Sequence, residues 1–129
     1  MPVELKLLGW SVVLGLVYFF IATTLGTLQR GLAWNASNRE VEPEALTGVA
    51  GRADRACKNL RETFAFFAVA VLVVVVAQRT TTSTVLGAQL FFWARVVYLP
   101  VYLIGIPYLR TLVWAVSLVG IVMVVGGLF

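Results

Sequence analysis

Two stripes of polar side chains interrupt an otherwise apolar chain. Arg52, Arg55, Asn59 and Glu62 recur at i, i+3, i+7 and i+10, the spacing of one face of an α-helix. Arg95, Tyr98 and Tyr102 recur at i, i+3 and i+7 and share a face in the same way. A guanidinium pairs with a carboxylate in fork geometry, a carboxylate accepts from an ammonium, and an amide reads a peptide group. The combined set suits a small zwitterionic ligand with more carboxylates than amines. Glutathione has that pattern and adds a thiol, although composition alone does not single it out.

Each stripe has a plainer reading. Basic residues at a membrane surface commonly meet lipid head groups, but that leaves Asn59 and Glu62 unexplained. A carboxylate beside the apolar run FAFFAVAVL is costly unless a partner neutralises it. Arg95 has about ten apolar residues on each side, where a guanidinium costs at least about 2.5–3.5 kcal/mol on insertion scales. It is expected to face the bundle interior and pair with an acid. Glu62 is the obvious candidate, and a purely structural Arg–Glu pair is the alternative to a ligand site. Tyr98 and Tyr102 could sit in an interfacial aromatic belt, but the face they share with Arg95 argues for a polar pocket.

Absences narrow the chemistry. The chain has no His, which excludes His-ligated metal or haem and triads that need an imidazole. Its single cysteine, Cys57, excludes an internal disulfide, a CxxC pair and a thiolate metal site. No metal is expected. Cys57 lies off the face of the polar stripe and reads as a packing residue.

The positioning elements follow from hydropathy. Of 129 residues, 60% are hydrophobic and 12% charged, too few charges for a soluble domain of this size. Mean hydropathy is +0.94. The expected fold is all-α: a single integral membrane domain of four transmembrane helices. Apolar runs place the helices at about 5–28, 52–79, 84–106 and 108–128, with a polar loop over 29–51. The run Thr63–Ala77 has 15 residues and covers only about 22 Å, so helix two must begin earlier, within its charged stretch. Thr and Ser residues in 80–84 suit a turn and a helix N-cap, and Pro107 suits a helix start. The N-terminal MPVELKLLGW is read as the start of a retained helix rather than a signal peptide.

Charge sets the expected orientation. Arg30, Arg39, Arg52, Arg55, Lys58, Arg61 and Arg110 fall at one end of the bundle, against Lys6 and Arg79 at the other. Basic residues favour the cytoplasmic face, so both termini are expected outside and the polar loop inside, in a bacterial inner membrane. The net charge of +4 needs no nucleic-acid partner.

These residues closely resemble the family of membrane-associated proteins in eicosanoid and glutathione metabolism, which includes microsomal glutathione transferases. Residues 52–62, RADRACKNLRE, resemble its helix-two signature R-x-x-R-A-x-x-N-x-x-E. Residues 94–110 resemble its second signature: an Arg, a Tyr seven residues later, and another Arg about 14–16 residues after the first. The resemblance implies a homotrimer with glutathione held between subunits. It implies glutathione-binding roles for Arg52, Arg55, Asn59, Glu62, Tyr98 and Tyr102. Arg110 matches the arginine proposed to stabilise the glutathione thiolate. Arg95 matches a structural or binding arginine, and Arg30 a further carboxylate-binding one. Thr63, directly after Glu62, is similar to prostaglandin E synthase–like members, where leukotriene synthase–like members have Tyr. The Arg95–Arg110 interval of 15 leaves Arg39 as a rival to Arg110 if the loop folds over the pocket.

The function implied is a glutathione transferase, with peroxidase activity as a further possibility, acting on a lipophilic electrophile or lipid hydroperoxide that arrives through the bilayer. The alternative is a lipid-binding scaffold of the same fold without chemistry, as in the five-lipoxygenase-activating protein. A small multidrug exporter is disfavoured, because Leu8–Leu28 contains no membrane-embedded acid.

Overall fold

The structure, a computed structural model, describes residues 1–31 and 45–129. It contains four long helices: α1 (Val3–Arg30), α2 (Gly48–Val76), α3 (Thr82–Ile104) and α4 (Pro107–Gly126). All four are long and apolar enough to cross a membrane. These bounds overlap the expected 5–28, 52–79, 84–106 and 108–128 and differ from them at the ends. α2 starts four residues before Arg52 and stops three before Arg79.

The local chemistry of the ends accounts for the boundaries. α2 stops because Gln78 adopts a left-handed φ of 57°. Arg79 N–H then bonds to Val74 O at 2.9 Å and Gln78 N–H to Val75 O at 3.1 Å, the paired bonds that close a Schellman turn. α3 opens with a capping box in which Thr81 and Thr84 exchange side-chain and backbone bonds. It ends at Gly105, whose φ of 88° and ψ of 38° suit glycine. Pro107 then occupies the first turn of α4, where its missing N–H costs nothing.

The four helices form one bundle, with short turns between α2, α3 and α4. The closest pair is α3 and α4. A Cβ on Gly87 would lie 2.6 Å from Gly120 O, and one on Gly120 would lie 2.5 Å from Gly87 O. The two backbones therefore touch where small residues permit it, as membrane helices commonly pack. Phe67 of α2 stacks on Phe91 of α3 with ring centroids 4.0 Å apart. Valines and phenylalanines also cover the outside: Phe20, Phe66, Val69, Trp93, Val119 and Val122 are all exposed. An apolar core inside an apolar surface is the arrangement that lipid, rather than water, makes stable.

Polar ties fix α1 to the bundle. The Tyr18 hydroxyl donates to Arg95 O, joining α1 to the middle of α3. At the opposite end from the polar stripe, Glu4 is buried, and its carboxylate accepts from Thr84 Oγ1 at 2.8 Å. α2 has 29 residues and α1 has 28, about 42–44 Å each, well beyond a hydrocarbon core of about 30 Å. Fifteen residues of α2 precede Thr63. The polar stripe therefore stands at the boundary of the apolar layer, on a continuous helix that holds its residues in register.

Candidate functional site

The site is a cavity of about 500 Å³ between α2, α3 and α4 at the polar end of the bundle. α2 supplies Arg55, Lys58, Asn59 and Glu62; α3 supplies Tyr98 and Tyr102; α4 supplies Arg110, Thr111 and Trp114. The volume is that of an ordinary small-molecule site. Three cationic side chains face one carboxylate, and Lys58 is partly occupied by Asp54 at 3.1 Å.

The floor is a column of alternating rings and guanidiniums. Arg95 is fully buried, with its Cζ 5.8 Å from the Phe91 ring centroid and 4.8 Å from that of Tyr98. Tyr98 packs against Tyr102 at 5.4 Å. Arg110 Cζ lies 4.8 Å from the Tyr102 centroid, and Arg55 Nε donates to the Tyr102 hydroxyl at 3.3 Å. Tyr102 thus holds both cavity arginines, Arg110 through its ring face and Arg55 through its oxygen.

Arg95 does not pair with Glu62. Its Nη1 donates to Asn59 Oδ1 and its Nη2 to Thr63 Oγ1, each at 2.7 Å. Among the described residues its Nε–H has no hydrogen-bond acceptor. Neutral oxygens from α2 take the place expected of an acid, and the flanking rings supply the rest of the stabilisation. Glu62 points into the cavity, exposed in the single chain, and forms no ion pair among the described residues. The physical reason is depth. Arg95 lies at the buried end of that column, where Thr63, one residue beyond Glu62 and on the buried face of α2, is the nearer partner.

The Arg95 bond also sets the polarity of Asn59. With Oδ1 accepting from Arg95, the Asn59 amide nitrogen is the end left to donate towards the cavity.

Two sequence-predicted residues lie elsewhere. Arg52 Nε donates to Leu103 O at 2.8 Å, satisfying a carbonyl at the C-terminus of α3, where a cation is also favoured by the helix dipole. Arg52 does not line the cavity. Arg30 lines a separate cavity between α1 and α2, with Asp54, Cys57 and Arg61. Arg39 lies outside the described residues. Cys57 is buried on that second flank, as its offset from the polar stripe implied. Lys58, Thr111 and Trp114 were missed. Lys58 falls three residues after Arg55 and Trp114 four after Arg110, so helical spacing could have found these two; Thr111, adjacent to Arg110, carries no such signal.

Among the described residues no group of three or more His, Cys, Asp or Glu side chains could hold a metal ion. The arrangement can instead bind anionic groups on Arg55 and Arg110, an ammonium on Glu62 and an acceptor on the Asn59 amide. The profile of the MAPEG family matches residues 7–129, essentially the whole chain. The chain belongs to the MAPEG family. Searches of curated proteins and of solved structures returned no match. Membership brings this MAPEG protein into the setting of glutathione and eicosanoid metabolism in membranes, consistent with its four apolar helices.

Proposed function

We propose that this MAPEG protein is a membrane glutathione transferase, with glutathione peroxidase activity as an extension of the same chemistry. The observation that carries the reading is the convergence of Arg55, Asn59, Glu62, Tyr98, Tyr102 and Arg110 on one cavity at the edge of the apolar layer. Arg55 takes a carboxylate of glutathione, Glu62 its ammonium, and the Asn59 amide a peptide carbonyl. Arg110, braced on the Tyr102 ring, stands beside the sulfur.

The residues act on ionisation and placement. A free thiol ionises near pH 8.5, and a neighbouring guanidinium favours the thiolate. The thiolate sulfur attacks an electrophilic carbon, forming the S–C bond while the leaving group departs with the bonding pair. With a hydroperoxide, sulfur takes the distal oxygen, the alcohol is released, and a second glutathione reduces the sulfenic acid to water and the disulfide. Lipophilic substrates are favoured because the outer faces of α3 and α4 are apolar. A groove of about 470 Å³ there, lined by Leu86, Leu90, Trp93, Val97 and Val116, is almost wholly apolar.

A homotrimer is part of the proposal. Arg30 lies on the far flank of α2 from the cavity, so only a second copy could bring it to a neighbour's ligand. Exposed Arg55 and Glu62 also favour burial against another subunit over contact with lipid. We place the polar end in the cytoplasm and the termini outside, in a bacterial inner membrane, on the strength of the basic residues gathered at that end. The test is turnover of a hydrophobic electrophile with glutathione by the purified protein, alongside native mass spectrometry. Conjugation by trimers supports the reading. Lipid retention without thiol binding or turnover would favour a scaffold, and monomers alone would remove the shared site.

A further inference from the structure

The residues that line the α2–α3–α4 cavity come from those three helices. α1 reaches the site by a different route. Between Ser11 and Thr23 the only polar side chain of α1 is Tyr18, and it is fully buried. A hydroxyl at that depth finds no water and must bond within the protein. Its acceptor is the backbone carbonyl of Arg95, the residue whose guanidinium holds Asn59. A carbonyl inside a helix already serves the helical ladder, so this bond is additional to what α3 needs for its own continuity.

The tie falls beside a gap in α3. Pro100 lies inside the helix and has no N–H to give Val96 O, so the ladder is interrupted directly after Arg95. Arg95 and Tyr98 precede the proline; Tyr102, the turn into α4 and Arg110 follow it. The helical turn that carries Arg95 therefore takes its depth and rotation partly from α1. The guanidinium tolerates little displacement. Its Nη bonds to Asn59 Oδ1 and Thr63 Oγ1 are each 2.7 Å, and among the described residues its Nε–H has no acceptor to compensate. The Thr63 hydroxyl donates to Leu60 O of its own helix at 3.2 Å, which leaves its oxygen to accept from Arg95. A slide of α3 by about 0.5 Å would stretch both Nη bonds to the limit of good geometry and free the Asn59 amide to turn.

We propose that Tyr18 is a positioning residue for the thiol site: by holding α3 at Arg95, it keeps the Asn59 amide turned to the cavity. The inference rests on the reading that this cavity holds glutathione, and it gives α1 a part in binding rather than in ionisation. Arg110 stands beyond the interruption at Pro100 and is braced on the Tyr102 ring, so ionisation of the thiol does not depend on Tyr18. The signature is a split: weaker binding of glutathione, with its thiolate unaltered once bound.

The test is Tyr18→Phe in the detergent-solubilised full chain. Phenylalanine keeps the ring, removes only the hydroxyl and leaves Arg95 O its place in the helical ladder, so the variant should fold. The dissociation constant and KM for glutathione should rise about five-fold, the order of one hydrogen bond of ordinary strength. At saturating glutathione, kcat and the pH midpoint of the thiolate absorbance should stay at their wild-type values. In an Asn59→Ala background Tyr18→Phe should weaken binding no further, because the amide through which it acts is gone. Glu4→Ala cuts another polar tie between α1 and α3, at Thr84, and should leave glutathione binding unchanged. An unchanged dissociation constant in Tyr18→Phe would overturn the proposal, as would the same five-fold loss in the Asn59→Ala background. A fall in kcat with a shifted thiolate midpoint, an equal weakening in Glu4→Ala, or a Tyr18→Phe chain that does not fold would also overturn it, by reducing Tyr18 to a prop for the bundle. A wild type without saturable glutathione binding would overturn the thiol reading itself, and this inference with it.

Discussion

Replacing Arg110 by Ala should uncouple ionisation of the thiol from its binding. Arg110 is half-buried at the rim of an open cavity, so an effective dielectric near 40 is reasonable, between the protein and water limits. At about 4 Å, a guanidinium then stabilises a thiolate by about 2 kcal/mol, which lowers the thiol pKa by about 1.5 units. Starting from about 8.5, the bound thiol titrates near 7, half ionised at neutral pH. Without Arg110 about 3% is ionised at pH 7, a loss of about 15-fold. The less stabilised thiolate is more reactive: a Brønsted coefficient of about 0.4–0.5 over 1.5 units returns about five-fold. Turnover at pH 7 should therefore fall only about three-fold, while the thiolate absorbance falls about 15-fold. Above about pH 9.5 the variant should match or exceed the wild type, because solvent then ionises the thiol. Glutathione affinity should stay within a few-fold. Arg110→Lys should keep part of the shift. The assay is a pH titration of thiolate absorbance with parallel kinetics. Binding and turnover lost equally, with no alkaline recovery, would refute the assignment and make Arg110 a carboxylate anchor.

Glu62→Gln should weaken glutathione binding and leave thermal stability unchanged, because Glu62 makes no ion pair among the described residues; a fall in melting temperature in detergent would contradict this. Arg95→Lys keeps the charge but cannot bridge Asn59 and Thr63 together, so it should cost about 1.5–3 kcal/mol in a denaturant titration. It should also weaken glutathione binding, since it releases the Asn59 amide. Gly87→Leu should separate α3 from α4 and destabilise the bundle by about 1–3 kcal/mol or more, measured by the same titration, with Gly15→Leu as a tolerated control.

Much of this was legible in the residues, and the parts that were not share a cause. Apolar run lengths revealed four spans, and the shortness of Thr63–Ala77 correctly placed charged residues on helix two. Periodicity brought Arg55, Asn59, Glu62, Tyr98 and Tyr102 to one cavity, because both stripes lie on unbroken helices. Spacing does not reveal depth or rotation. Arg52 shares the stripe with Arg55, yet one helical turn earlier it faces the end of α3 and bonds to Leu103 O. Arg95 was rightly expected inside, but its partners are an amide and a hydroxyl, because the buried face of α2 presents Asn59 and Thr63 at that level. The backbone contact of Gly87 with Gly120 leaves no periodic mark in a helix already rich in small residues. Gln78 at the end of α2 carries no glycine to announce the left-handed turn it makes.

The central claim is that the α2–α3–α4 cavity holds glutathione as a thiolate. The most direct measurement is a titration of the solubilised wild type with glutathione at pH 7, following heat and ultraviolet thiolate absorbance together. The account predicts saturable binding with a thiolate signal that reaches saturation at the same ligand concentration. S-methylglutathione should compete without producing that signal. Absence of saturable binding, or binding with no thiolate absorbance below pH 8, would contradict it.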